Sequence, residues 1–254
     1  MFLAMDIGNT NIMIGIYDKD CLVAHWRLGT DRCRTTDEYG LMLRQLFSVS
    51  HIKVEEIEKV ILGSVVPPLT TIILQTIENY LKVPFLLVDY KTKTGITIKV
   101  DNPEGVGADR IINGVAGLAF YGSPLIVVDM GTAITFDYFS AQREYLGGAI
   151  VPGMGIAMEA LFQRAAKLPR VEMKAPEQVV ANNTVACMQS GLVYGYASLI
   201  DGLVEKMWQE RGEKTHVVVT GGMASIIKPH CHVVEYADEM LTLEGLRLIY
   251  EQNG

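Results

Sequence analysis

With 254 residues the chain is long enough for one large domain or two smaller ones, and a charged fraction of 20% against a hydrophobic class of 49% marks it as globular rather than disordered. A formal net charge of −7 argues against a broad nucleic-acid surface, whose affinity would rest on Lys and Arg. No apolar run reaches the roughly 18–20 residues of a membrane span, and Asp6 comes too early for a signal peptide, so a cytoplasmic protein with no membrane partner is expected.

Leu3-Ala4-Met5-Asp6-Ile7 reads as a buried strand ending in an acid, followed by a turn of small residues, Gly8-Asn9-Thr10-Asn11. A carboxylate in this place can hold a hydrated cation beside backbone N–H groups that face phosphates; the alternative is an ordinary hairpin turn. Ile12, Ile14 and Ile16 then alternate with Met13, Gly15 and Tyr17, as a returning half-buried strand should. Cys21–Leu28 follows as a third strand and Thr35–Phe47 as a helix with an apolar stripe. Lys59–Val66 is a buried strand stopped by Pro67-Pro68, a helix is expected over about Leu69–Leu81, and Phe85–Val88 is a short strand. Residues 91–107, rich in Lys, Thr, Gly and Pro, read as an exposed loop or hairpin.

In Asn102-Pro103-Glu104-Gly105-Val106-Gly107-Ala108-Asp109-Arg110, pliable backbone leads into a helix with an acid and a base in its first turn. The helix N-terminus and Arg110 would favour an anion, and Asp109 could accept the proton of an alcohol attacking a phosphate. An ordinary pKa near 4 would make Asp109 a weak base that acts late. The plainer alternative is a favourable first-turn acid beside a surface ion pair.

The first plan then recurs. Leu125–Asp129 is a buried strand running into Asp129-Met130-Gly131-Thr132, and Ile134–Phe139 and Arg143–Val151 return, so two similar subdomains are expected, divided at 1–118 and 119–254. Gly153–Ala166 and Thr184–Glu210 are expected helices, the second either a core element or a face for another chain. Val217-Val218-Val219 leads to Thr220-Gly221-Gly222, where a base or ribose could lie against backbone or the chain could simply turn, and Leu241–Glu251 is a closing helix. His230-Cys231-His232 has no spaced partner and reads as a strand edge rather than a metal site. The four cysteines are unpaired in spacing and read as reduced thiols.

Taken together these segments resemble the type III pantothenate kinases, within the superfamily of acetate and sugar kinases, heat-shock chaperone ATPases and actin. The resemblance runs through Asp6 to Asn11, Thr35-Thr36-Asp37-Glu38-Tyr39, Asp101-Asn102-Pro103, Gly107 to Arg110, Asp129 to Ala133, Gly147 to Gly153, Asn183-Thr184 and Leu241 to Leu246. It implies an α/β fold of two ribonuclease H-like subdomains with a cleft between them, acting as a homodimer. It implies ATP-dependent phosphorylation of the primary hydroxyl of pantothenate, towards coenzyme A, with Mg²⁺ and a monovalent cation, K⁺ or ammonium. By position, Asp6, Ile7, Gly8, Asn9, Thr10, Asn11 and Ile12 would bind ATP, with Asp6 also meeting its Mg²⁺, and Thr132 would touch the nucleotide. Asp129 would hold the monovalent cation. Gly107, Ala108, Asp109 and Arg110 would bind pantothenate with Asp109 as base, and Thr184 would contact substrate from the neighbouring subunit. Two positions depart from the pattern. Val100 stands where an aromatic is common, and Ile134 where Thr is common, which would remove a hydroxyl near the phosphates. A kinase of the same superfamily with another acceptor, or a non-catalytic regulator of the same fold, would be the rival readings.

Overall fold

The computed structural model describes residues 1–253. In chain order the elements are β1 (Phe2–Ile7), β2 (Asn11–Asp18), β3 (Cys21–Gly29), α1 (Thr36–Val49), β4 (Lys59–Ser64), α2 (Pro67–Thr76), β5 (Phe85–Leu87), β6 (Thr97–Ile98) and α3 (Ala108–Phe120). There follow β7 (Leu125–Met130), β8 (Ala133–Phe139), β9 (Glu144–Pro152), α4 (Met154–Arg164), α5 (Thr184–Arg211), β10 (His216–Thr220), α6 (Ala224–Ile227), β11 (Tyr236–Ala237) and α7 (Leu241–Asn253). The described residues form two compact units, one of residues 1–96, 101–116 and 242–253, the other of 97–100 and 117–241.

In the first unit the sheet order is β3-β2-β1-β4-β5, with β1 antiparallel to β2 and parallel to β4. β1 lies in the middle, which is why Phe2 to Met5 and Ile7 are all buried. One face of the sheet, through Leu3, Met5, Ile7, Ile12, Ile14 and Ile16, packs on Tyr39, Leu43 and Phe47 of α1 and on Leu69 and Ile73 of α2. Helix α1 opens with a capping box. Thr35 Oγ1 accepts the Glu38 N–H at 3.3 Å, and Glu38 Oε2 accepts the Thr35 N–H at 2.7 Å. Helix α2 begins two residues before the expected Leu69. Pro67 and Pro68 occupy its first turn, where a missing N–H costs nothing, and a wider turn over Ile77–Leu81 ends at Lys82 with φ 58°.

Helix α7 belongs to this first unit although it ends the chain. Tyr250 stacks on Phe2 with centroids 3.9 Å apart, Tyr17 Oη donates to Glu244 at 3.0 Å, and Gly245 packs against the Ile112 carbonyl so closely that a Cβ would collide with it.

In the second unit the order β9-β8-β7-β10-β11 repeats that of the first sheet, strand for strand, with β6 added beyond β9. Ile126, Val128, Met130, Ile134 and Phe136 face Met188, Leu192, Val193, Ala197, Ile200 and Val204 of α5. Helix α5 is thus a core helix on one face, while Gly195, Ser198 and Glu205 are exposed on the other. The Asn183 side chain caps it by accepting the Ala186 N–H at 2.9 Å, and Gly212 closes it with φ 71°.

Of the loop and hairpin readings of residues 91–107 the loop holds, and its one short strand, Thr97–Ile98, pairs in parallel with β9 rather than with a neighbour in sequence. One local expectation is corrected. His230-Cys231-His232 is not a strand edge. It follows a tight turn at Lys228–His230, and Asp201 on α5 accepts the N–H groups of His232 and Val233, drawing the backbone out of any ladder.

Candidate functional site

In the first unit Asp6 is the last residue but one of β1, paired in register with Met13 on β2 and Gly63 on β4. The turn beyond it is closed by the Gly8 N–H, which donates to the Asn11 carbonyl at 3.0 Å. Ile7 and Ile12 on either side are fully buried in the core, so only their backbone can serve a ligand. Asn9, Thr10 and Asn11 are exposed. The turn is braced from the segment after β3: Thr30 Oγ1 donates to the Gly8 carbonyl at 2.7 Å, the Thr30 N–H donates to the Thr10 carbonyl at 2.9 Å, and Arg32 Nη2 donates to Asn9 Oδ1 at 2.8 Å.

The Gly107-Ala108-Asp109-Arg110 segment enters α3 from a tight turn at Pro103–Gly105. Asp109 is partly buried, and its Oδ1 accepts the Arg110 N–H at 2.8 Å. The carboxylate folds back over Gly107, where a Cβ would collide with it and lie 3.4 Å from Val65 Cγ1. Burial raises the pKa of Asp109 above the ordinary carboxylate value, outweighing the Arg110 N–H and the Arg110 charge, which lower it. The expected ordinary pKa is therefore corrected upward.

Gly63 joins the two motifs. A Cβ there would strike Ile112 and stand 3.6 Å from Ala108 Cβ and 3.9 Å from Asp6 Oδ1. Asp6 and the start of α3 thus both approach Gly63 on β4, which the Ile112 side chain covers, a juxtaposition that nothing near Gly63 in the sequence announces.

In the second unit Asp129 holds the same place on β7 that Asp6 holds on β1, in register with Thr135 and Thr220. Gly221, with φ +89°, passes so close that a Cβ would be 2.8 Å from Asp129 Oδ1 and from the Met130 carbonyl. The Thr220-Gly221-Gly222 turn therefore passes against the Asp129 carboxylate. The Gly153 N–H donates to the Thr132 carbonyl at 3.1 Å, which ties Pro152-Gly153 to the exposed Gly131-Thr132 turn. Thr184 is exposed at the first residue of α5. Ile134 is fully buried in the second core, so a hydroxyl there would sit among apolar side chains rather than at the turn, and the expected loss of a phosphate contact is corrected. Val100 is half-buried beside Gly147.

Each unit thus presents one carboxylate at a strand end, exposed small polar residues and close-passing glycine backbone, a donor set suited to phosphates and hard cations. The sequence profile of the type III pantothenate kinase family matches residues 2–206. A type III pantothenate kinase from an Exiguobacterium species is 52% identical over 253 residues, covering 100% of this chain and 99% of its own. Among solved structures, a Baf family protein from Campylobacter jejuni superposes with a TM-score of 0.65 at 20% identity, covering 99% of this chain and 98% of that one. An inorganic polyphosphate/ATP-glucomannokinase from an Arthrobacter species superposes with a TM-score of 0.50 at 15% identity, covering 98% and 97%. At these identities the two structures speak for the fold alone.

Proposed function

The chain belongs to the type III pantothenate kinase family and phosphorylates pantothenate with ATP, a step of coenzyme A biosynthesis; we propose that Asp109 is the base of this transfer. The observation that carries the assignment is a partly buried carboxylate of raised pKa beside Arg110, in the first turn of the helix whose Ala108 approaches Gly63 and Asp6. A raised pKa makes a stronger base, since general-base efficiency grows as the pKa approaches the working pH. Asp109 orients the pantothenate hydroxyl and takes its proton as the oxygen bonds to the γ-phosphorus, while Arg110 and the start of α3 hold the substrate carboxylate. Gly107 and Ala108 line the same turn, and their backbone completes the substrate site.

In the first unit the backbone from Asp6 to Ile12, with Asn9, Thr10 and Asn11 exposed, receives the ATP phosphates. Mg²⁺ carried by ATP fits Asp6, because that ion keeps most of its waters and needs few protein ligands. In the second unit Thr132 contacts the nucleotide, and Asp129, with the Met130 carbonyl also beside Gly221, would hold a monovalent cation, K⁺ or ammonium. When bound there, these cations would supply positive charge against that of the transferring phosphoryl group.

The active form is a homodimer. Exposed Ile150, Ile156, Phe162, Val180 and Val185 supply apolar surface in the second unit, and Thr184 lies among them in sequence. The site of action is the cytoplasm, a reading that rests on the scattered spacing of the four cysteines in the sequence. Among the described residues no helix is long and apolar enough to cross a membrane.

The test is ADP release with ATP, Mg²⁺ and pantothenate in K⁺, ammonium or Na⁺ buffer. Pantothenate-dependent release that collapses in Na⁺ is expected. Release with a sugar or another short acid in place of pantothenate would reassign the acceptor, and release indifferent to the cation would remove that role from Asp129.

A further inference from the structure

The segment between β3 and α1 is fixed on both sides of Arg32. On one side Thr30 is bonded to the carbonyls of Gly8 and Thr10 at 2.7 and 2.9 Å. On the other, the Asp31 carbonyl accepts the hydroxyl of buried Tyr39 at 2.8 Å, and the Asp31 carboxylate accepts the Cys33 N–H at 2.9 Å. That carboxylate also pairs with Arg34 at 3.3 Å, which accounts for the neighbouring cation. The Cys33 N–H and Arg34 hold the Asp31 pKa below the usual carboxylate range.

Arg32 is different. It is exposed, and among the described residues no carboxylate lies within ion-pair distance of it, in a chain with 29 acids and 22 bases. Its Nη2 is spent on Asn9 Oδ1 at 2.8 Å, at the tip of the turn after β1. A guanidinium has five N–H donors in a fixed fork, and this contact uses one of them. A fork with donors to spare and no carboxylate beside it suits the oxygens of a phosphate chain. The anchored backbone and the Asn9 contact mean that little freedom is lost when such a ligand arrives.

From this we infer that Arg32 is a nucleotide-binding residue, held over the turn by Asn9 and lending its charge to the phosphates of ATP. The inference rests on the reading that Gly8 to Asn11 receives those phosphates.

The test compares ATP and ADP affinity by calorimetry, and the KM values for ATP and pantothenate, in the whole protein and in Arg32→Gln, Arg32→Lys, Asn9→Ala and the Arg32→Gln/Asn9→Ala double variant. Arg32→Gln should weaken ATP binding about 10-fold or more, the loss expected of a charged hydrogen bond, with the pantothenate KM unmoved. Arg32→Lys should recover part of it by restoring charge without the fork, and the effect should shrink as salt is added. In the double variant the Asn9 change should cost less than it does alone, because part of its effect runs through Arg32. ATP affinity within about twofold of wild type would mark a mere surface contact and overturn the inference, as would parallel losses for ATP and pantothenate.

Gly8→Val separates this from the reading beneath it, since a side chain there would crowd the Asn11 carbonyl that closes the turn. If Gly8→Val abolishes ATP binding while Arg32→Gln leaves it intact, only the role of Arg32 falls. If Gly8→Val binds ATP normally, the phosphate turn itself is elsewhere and both fall.

Discussion

Asp109→Asn separates catalysis from stability in a single side chain. The change is nearly isosteric: Asn Oδ1 can still accept the Arg110 N–H now held at 2.8 Å and still fold over Gly107. What disappears is the charge. Loss of a general base costs about 10²–10⁴-fold in turnover, or about 3–5 kcal/mol of barrier. The stability effect has the opposite sign. Burial raises the native pKa above the unfolded value of about 3.9, so the native state binds the proton more tightly. Stability present below about pH 3.9 is therefore lost as pH rises from there through the raised native pKa, and does not return at neutral pH. Asn carries no such penalty. The variant should melt above wild type at neutral pH, with the gap closing as pH falls below the ordinary Asp value. Coupled ADP release and thermal scans from about pH 4 to 8 measure both effects, and wild-type kcat/KM should fall in acid with a midpoint above about 4. Near-normal turnover would remove Asp109 from the base role. A gap in melting temperature that is negative, or flat with pH, would refute the account of its burial.

Gly221→Ala forces a Cβ to 2.8 Å from Asp129 Oδ1 at φ +89°, so a loss of about 2 kcal/mol or more is expected in denaturant titration, together with a weakened response to K⁺. Asn183→Ala removes the bond that caps α5 and should cost about 1 kcal/mol in the same titration, with Asn183→Ser recovering most of it. The His232 pKa is raised, first by its hydrogen bond to Glu205 and then by the Asp201 charge. Its contribution is fully present below the ordinary His value of about 6.5 and lost as pH rises through the raised one, so His232→Gln should melt below wild type in acid and converge with it in alkali; a constant difference would count against the ion pair.

The repeated strand and Asp-x-Gly turn were legible from the sequence because strand alternation, a central apolar run and a turn-forming glycine are all local signals. The capping box of α1 and the long α5 were legible for the same reason, each carrying its own start signal and period. Asp6, Asp109 and Asp129 stood out as acids at the ends of such elements. Other features depend on chain segments meeting across long separations. Tyr17 and Glu244 bond across 227 positions, so no local pattern could assign α7 to the first unit. Gly63 looks like any strand glycine until Asp6 and Ala108 are found on either side of it. Gly221 reveals its purpose only against Asp129, and Arg32 only against Asn9. By itself the sequence determined the elements and the chemistry available at their ends, since propensity and period act within a few residues. Only the tertiary structure decided which ends meet and how deeply Asp109 is buried, because packing and desolvation depend on neighbours from elsewhere in the chain.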